Sequence, residues 1–482
     1  MNKPLRKVAL ALAVLFAILL VNANVVQVVN AHSLTSNSHN RRVLIDDYRR
    51  QRGDIIAGGQ VVAQSVATSD KLKYLRTYPG GSLFAPITGY DSLTLGTTGI
   101  ESSQDSILSG DDSRLSISFD RLSQMLTGRT VRGGSVSLTI DSAAQTVAAK
   151  ALGDRKGAVV AIDPRTGAIL AMVSSPSYDP SQLTGHDPTM ISKNYKALQA
   201  DPNKPLLNRA TSESYPPGST FKVIVTAAAL ASGKYQPDTQ VPAPATYPLP
   251  GTTVAINNFE GESCDGTSIT LAHALEISCN TAYAGIGVAL GADALRAQAR
   301  AFGFGTAPSD VGVPTAASVF PDNLNIPQTA QSSIGQFDVR ATPLQMAMVA
   351  AAIANGGSMM KPYLVQQVTG PDLKVLARNI PTVLGTPVNG TVAGELTTMM
   401  EAVVNSGTGT SAQIPGVRVA GKTGTAETGI SGQQPDSWFI GFAPAGAPTV
   451  AIAVLVENGG TGGAVAAPIA RQVLAQILAD QK

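Results

Sequence analysis

The chain has 482 residues, 44% of them apolar and 14% charged, with 47 glycines, 30 prolines and a formal net charge of +2. That length predicts two domains plus accessory segments, and the apolar share is enough for a sizeable core. A near-neutral chain without a long basic run has no electrostatic footprint for nucleic acid, which is excluded as the main partner.

In chain order, Lys3, Arg6 and Lys7 precede an uncharged run from Val8 to Asn30 that is wholly apolar as far as Val21. Such a run is long enough to span a bilayer, and its basic flank predicts a cytoplasmic tail over 1–7. A signal peptide cut near Ala23 or Ala31 competes with an uncleaved signal anchor over 8–30, and the length favours the anchor. The chain is therefore expected in the cell membrane as a single-pass protein, with everything after about residue 32 outside the cytoplasm. Residues 31–42 are polar and read as a linker.

Residues 43–140 read as a small mixed module. The stretch 60–66 alternates as a strand does, and 79–113 is rich in Gly, Ser, Thr and Asp. A strand is expected at 135–140, followed by a helix capped by Asp141 or Ser142 and running to Leu152. Two apolar runs, 158–162 and 168–173, flank Asp163-Pro164-Arg165-Thr166-Gly167 and predict a hairpin. Helices are expected at 220–232, 270–277, 281–290, 342–355 and 392–404. Strands return at 417–425, 437–442 and 449–456, and an amphipathic helix closes the chain at 467–479. The order predicts an α+β domain over 141–482. Its antiparallel sheet would have flanking helices and a helical subdomain, and its first strands and last helix would meet in space.

Three short elements carry chemistry. Ser219-Thr220-Phe221-Lys222 follows Tyr215-Pro216-Pro217-Gly218, which must turn. Ser219 then starts a helix, and Lys222 returns to the same face one turn later. A buried, neutral lysine can take the hydroxyl proton, and backbone N–H groups at the turn can hold an oxyanion. The pattern recurs at Ser358-Met359-Met360-Lys361, in a Gly-Gly loop without a helix to align its ends. Ser278-Cys279-Asn280 lies between two predicted helices, where its i and i+2 side chains can share a cleft. The same spacing at Ser38 and Ser192 falls in polar stretches and reads as loop. Lys422-Thr423-Gly424-Thr425 ends an apolar strand-like run. A substrate strand could lie along that edge, with Lys422 drawing its carboxylate and Gly424 allowing close approach.

Taken singly, each element reads more simply as a helix cap, a loop or a strand end. In this order and context the three resemble the motifs of class B penicillin-binding proteins. Further stretches fit: Arg52-Gly53-Asp54-Ile55, Tyr78-Pro79, Thr98-Gly99-Ile100-Glu101, Gly335-Gln336, Thr342-Pro343-Leu344-Gln345 and Asp436-Ser437-Trp438-Phe439. The short N-terminal module, with no domain expected after the catalytic one, is similar to the actinobacterial A type of that class. The resemblance implies a penicillin-binding, serine β-lactamase-like transpeptidase fold preceded by a dimerisation or pedestal-like module. It implies a peptidoglycan D,D-transpeptidase of septal wall synthesis that is acylated by β-lactams and needs no metal or cofactor. Ser219 would be the nucleophile, Lys222 its base and Ser278 the proton relay. Asn280, Lys422, Thr423, Gly424 and Thr425 would bind the D-Ala-D-Ala donor, and an amine on a second stem peptide would accept the acyl group. A membrane glycosyltransferase and divisome proteins are the implied partners.

The two cysteines can pair in an oxidising compartment. A Cys264–Cys279 disulfide would pin the 257–266 loop beside the cleft; the alternative is two buried thiols. The four histidines are scattered, which argues against zinc and against a Ser-His-Asp triad. Rival functions are a β-lactamase, a D,D-carboxypeptidase and a division scaffold with a vestigial site. Between Asn280 and Lys422 the only glutamates are Glu395 and Glu401, both on a predicted helix, which disfavours the β-lactamase.

Overall fold

The computed structural model describes residues 3–26, 48–116, 132–258, 261 and 263–481. The linker expected at 31–42, the end of the apolar run and Ser38 lie outside the described residues. The first helix, α1 (Lys3–Asn24), has 22 residues. At 1.5 Å per residue that is about 33 Å, long enough for the hydrocarbon core of a bilayer.

Strands β1 (Ile55–Ala57), β2 (Gln60–Ala67), β3 (Tyr74–Thr77) and β4 (Ser135–Leu138) come next. Short helices at Gly81–Thr88, Gly99–Ser103 and Asp105–Ser109 occupy the Gly- and Ser-rich stretch between β3 and β4. Helix α2 (Ser142–Leu152) is capped by the Asp141 carboxylate, which accepts from the N–H groups of Ala143 and Ala144. This cap satisfies two donors that the helix itself cannot pair. Then come β5 (Gly157–Ile162), β6 (Ile169–Ser175), α3 (Lys222–Ala231), α4 (Leu271–Glu276), α5 (Asn280–Leu290) and α6 (Pro343–Ala354). After them come β7 (Val365–Thr369), β8 (Val375–Arg378), α7 (Gly390–Asn405), β9 (Ala420–Ala426), β10 (Asp436–Ala443), β11 (Val450–Val456) and α8 (Ala466–Asp480).

Two sheets organise these elements. The larger has the order β8-β7-β4-β1-β2-β3, with β1 and β4 parallel and the other pairs antiparallel. A boundary at residue 140 therefore does not enclose it, because the β7–β8 hairpin arrives from the other end of the chain. Pairing covers the edge of β4, which would otherwise offer unpaired N–H and C=O groups. Nothing in the sequence of β7 states which sheet it joins. At the heart of this region, buried Glu101 accepts from Arg52 Nε and Arg76 Nε, each at 2.6 Å, and from the Tyr78 hydroxyl at 3.1 Å.

The second sheet is antiparallel throughout, in the order β9-β10-β11-β5-β6. Its first and last strands in sequence, β5 and β11, pair with each other inside the sheet, and α8 packs back against α2. Every residue of β5, β10 and β11 is buried. Alternation sends Val159, Phe439, Ile452 and Val454 toward α2 and α8, while Val160, Ile440, Ala453 and Leu455 face the block holding α3, α6 and α7. Each buried Val, Leu, Ile or Phe contributes about 1.5–3 kcal/mol relative to exposure. The helix expected at 342–355 is α6, in which every residue from Pro343 to Ile353 is buried. The catalytic motifs sit where this helical block meets the edge strand β9.

Candidate active site

Ser219 lies in a one-turn 3₁₀ helix, Gly218–Phe221, that leads into α3. Gly218 has φ +51°, which any larger residue would resist, and an added Cβ would lie 2.9 Å from the Thr425 carbonyl oxygen. The turn is held from several sides. Gly218 N–H donates to Gly335 O at 3.0 Å, Trp438 Nε1–H to Pro216 O at 2.9 Å, and the Thr220 hydroxyl to Pro217 O at 2.6 Å. Gly424 serves the same purpose from β9. A Cβ there would stand 2.9 Å from Pro217 O, from Thr220 Cγ2 and from Trp438 Cβ. The close approach that Gly424 permits is thus by the nucleophile's own turn, whereas a substrate strand was expected.

Ser278 is left-handed, with φ +62°. It follows α4 in a Schellman ending: the Cys279 N–H donates to Ala274 O at 2.9 Å and the Ser278 N–H to Leu275 O at 3.2 Å. Glycine usually takes this position, and a serine there accepts backbone strain. Asn280 opens α5. From the loop before Cys264, Asn258 Oδ1 accepts the N–H groups of Asn280 at 3.0 Å and Thr281 at 3.2 Å, so a distant side chain caps this helix. Asn257 O accepts from Asn280 Nδ2 at 3.0 Å. Cys264 and Cys279 form a disulfide with Cα atoms 5.8 Å apart, joining the same loop to the residue before α5.

These pieces meet at two buried lysines. Lys222 Nζ stands 2.6 Å from Ser278 O, 2.7 Å from Asn280 Oδ1 and 3.2 Å from Ser278 Oγ. Lys422 Nζ stands 2.9 Å from the same Ser278 Oγ and 3.0 Å from Thr423 O. Both side chains are 0% exposed. Among the described residues, no carboxylate forms an ion pair with either. Burial, and next the nearby Lys422 ammonium, push Lys222 well below the ordinary lysine value. Burial pushes Lys422 down to about 7. Burial therefore favours the neutral form of Lys222, in which the amine has two N–H donors and one lone pair. The two shortest contacts are both acceptors and use the donors, which leaves the lone pair for a hydroxyl.

A cleft of about 1010 Å³ opens over this centre, lined by Ser219, Ser278, Asn280, Thr423 and Thr425 among others. It offers the Ser219 hydroxyl, a second hydroxyl, that of Ser278, touching both buried amines, and an edge strand along one wall.

Comparison with known proteins agrees with this geometry. Residues 157–475 match the profile of the family described as the penicillin binding protein transpeptidase domain, and residues 52–136 match that of the penicillin binding protein A dimerisation domain. The chain belongs to the penicillin-binding protein transpeptidase family. It is 46% identical over 494 residues, 100% of both chains, to the peptidoglycan D,D-transpeptidase PbpA of Mycolicibacterium smegmatis. Among solved structures, it matches penicillin-binding protein A from Mycobacterium tuberculosis as a ceftriaxone acyl-enzyme complex. The TM-score is 0.86 at 46% identity, covering 90% of this chain and 100% of that one. The penicillin G acyl-enzyme complex of the same protein gives a TM-score of 0.85 with 89% of this chain covered.

Within this family member, Ser219, Lys222, Ser278, Asn280 and Lys422–Thr425 all come to one place. The second Ser-x-x-Lys does not. Met359–Met360 forms a short strand, and Lys361 is ion-paired with exposed Asp310 at 2.6 Å. Ser192 and Asn194 lie on the helix Pro188–Ala200, where Asn194 bonds Gln182 O. Glu401 is taken by Arg418 in a two-pronged pair, and neither it nor Glu395 lines the cleft. Sequence reasoning missed Asn258, which carries no motif, and Thr408, whose hydroxyl meets that of Thr423 at 2.5 Å. It also missed Glu427, which lines the cleft but lies beyond Lys422, where the count of glutamates stopped.

Proposed function

We propose that this chain is a peptidoglycan D,D-transpeptidase acting through an acyl-enzyme on Ser219. The observation that carries the reading is the buried Lys222 amine, held by Ser278 and Asn280 at the floor of the cleft that Ser219 lines and without a carboxylate partner among the described residues. Ser219 Oγ attacks the carbonyl carbon of the penultimate D-alanine and its proton passes to Lys222. The Ser219 and Thr425 backbone N–H groups receive the oxyanion. Collapse breaks the C–N bond, Ser278 relays a proton to the departing nitrogen, and D-alanine leaves. The amine of a second stem peptide then attacks the ester, Ser219 regains its proton and a cross-link is formed. Asn280 positions Lys222 and keeps one amide hydrogen for the donor peptide. Lys422 and Thr423 draw the donor's terminal carboxylate. A β-lactam presents a strained amide to the same attack and remains on Ser219.

The length and apolar character of α1 support a single-pass membrane anchor with its tail in the cytoplasm and the cleft outside. The likeness to the actinobacterial A type supports septal wall synthesis beside a membrane glycosyltransferase. The domain division that best fits both readings is a dimerisation or pedestal-like module before residue 141 and a catalytic domain after it, with the β7–β8 hairpin reaching back.

Intact-mass analysis with peptide mapping after penicillin treatment tests the centre. One adduct on Ser219 is expected, and a stable adduct elsewhere would refute the reading. A D-Ala-D-Ala donor assayed with and without an acceptor amine separates transpeptidase from carboxypeptidase: hydrolysis alone would favour the latter. A Ser219→Ala variant that still supports septation would favour a scaffold.

A further inference from the structure

Thr423, Thr425 and Glu427 all line the cleft, and they alternate along β9 and the residue just past its end. Alternate residues of a strand face one side, about 6.8 Å apart. In the reading above, Thr423 meets the donor's terminal carboxylate and the Thr425 N–H its scissile carbonyl. A donor lying along this edge then continues past Thr425. The residue before its D-Ala-D-Ala falls against Glu427.

The charge of the cleft fits a cation there. The charged groups among its described lining residues are Asp265 and Glu427, and none is basic. Asp265 is engaged by His273 Nε2 at 3.0 Å. Glu427 is exposed and has no ion-pair partner among the described residues. We infer that Glu427 is a donor-specificity residue. It receives the side-chain ammonium of the stem residue that immediately precedes D-Ala-D-Ala. The inference rests on the transpeptidase reading of the Ser219 centre and adds a subsite one strand-pair beyond the scissile bond.

The test uses the full-length protein and two tripeptide donors ending in D-Ala-D-Ala. One carries a free lysine amine at the first position, and the other is acetylated there. The wild type is expected to favour the free amine by about three- to fivefold in kcat/KM, the range for a partly exposed ion pair. Added salt should erode that preference. Glu427→Gln should lose it, with most of the change in KM and at most a twofold change for the acetylated donor. Glu427→Asp should retain part of it. Equal use of the two donors by the wild type would overturn the inference while leaving the transpeptidase reading intact. So would a preference that survives in Glu427→Gln. A Glu427→Gln variant that keeps its donor preference but holds its penicilloyl ester longer would assign the carboxylate to water activation instead. Failure of the wild type to turn over either donor would overturn the underlying reading.

Discussion

Two buried polar clusters set this molecule's catalytic centre against its N-terminal module. In the module, Arg52 and Arg76 both close on Glu101. Burial by itself would raise Glu101, but the two guanidinium groups outweigh it and hold the carboxyl below its ordinary range. At the catalytic centre, Lys222 and Lys422 are as deeply buried but share only hydroxyl, amide and carbonyl partners. Burial there goes uncompensated, so both lysines hold their protons less tightly than an ordinary lysine does. A buried cation with a counter-ion maintains structure, whereas one without a counter-ion is poised to accept a proton.

That contrast can be broken most severely at Lys222. Lys222→Met should slow Ser219 acylation by about 10²–10⁴-fold, the range for a lost general base. Its stability should fall by no more than about 1–3 kcal/mol, because two acceptors lose a donor but no charge is left unpaired; stopped-flow acylation and thermal unfolding read the two effects. A variant that acylates normally would remove Lys222 from the chemistry. Glu101→Gln should behave in the opposite way. Leaving Arg52 and Arg76 without their carboxylate should cost about 3–5 kcal/mol of stability. The folded fraction should acylate within about twofold of wild type, because none of Arg52, Arg76 and Glu101 lines the cleft. A variant that loses acylation while remaining fully folded would make the module part of the site.

The pH response sharpens the same contrast. Lys422 is cationic below about 7 and neutral above it. If it draws the donor carboxylate, KM should rise as pH climbs through 7, by at most about tenfold per unit. Penicillin and donor pH profiles measured side by side with a carboxylate-masked donor would show whether the effect follows the carboxylate. The sign for stability is separate. A lysine whose folded value is depressed leaves the unfolded chain holding more protons between about 7 and 10. This group's contribution therefore grows with pH across that window and is least below it. The smallest effect is expected at the other Ser-x-x-Lys. Lys361→Ala removes a partly exposed ion pair and should cost no more than about 1 kcal/mol, with acylation unchanged. A loss of acylation there would show that the bare pattern carries more than its setting.

Much of the catalytic fold was legible because its signals are local. The Asp141 cap, the 163–167 turn, the even burial of α6 and the apolar runs of β10 and β11 each follow from neighbouring residues. The start of α3 was less so. The Pro-Pro-Gly approach tightens the first turn into a 3₁₀ helix, and that tightening is enforced by Gly335, Trp438 and Gly424 from three distant segments. Asn258 and Thr408 carried no signal, because a capping asparagine and a hydroxyl become functional only through what lies opposite them. Glu427 could have been found: Thr423, Thr425 and Glu427 share one face of a strand by simple alternation.

By itself the sequence determined which residue types could do this chemistry and the local elements that carry them. Helix caps, turns and strand alternation depend on contacts within a few residues, so a linear reading reaches them. It also made the family recognisable through the order of its motifs. Only the tertiary structure decided which of two equal Ser-x-x-Lys patterns is buried, and that Gly424 makes room for the nucleophile's own turn. It alone recruited strands 365–378 to the N-terminal sheet. The same holds for the weakened hold of Lys222 and Lys422 on their protons. Desolvation is a property of everything packed around a group, and no stretch of sequence contains it.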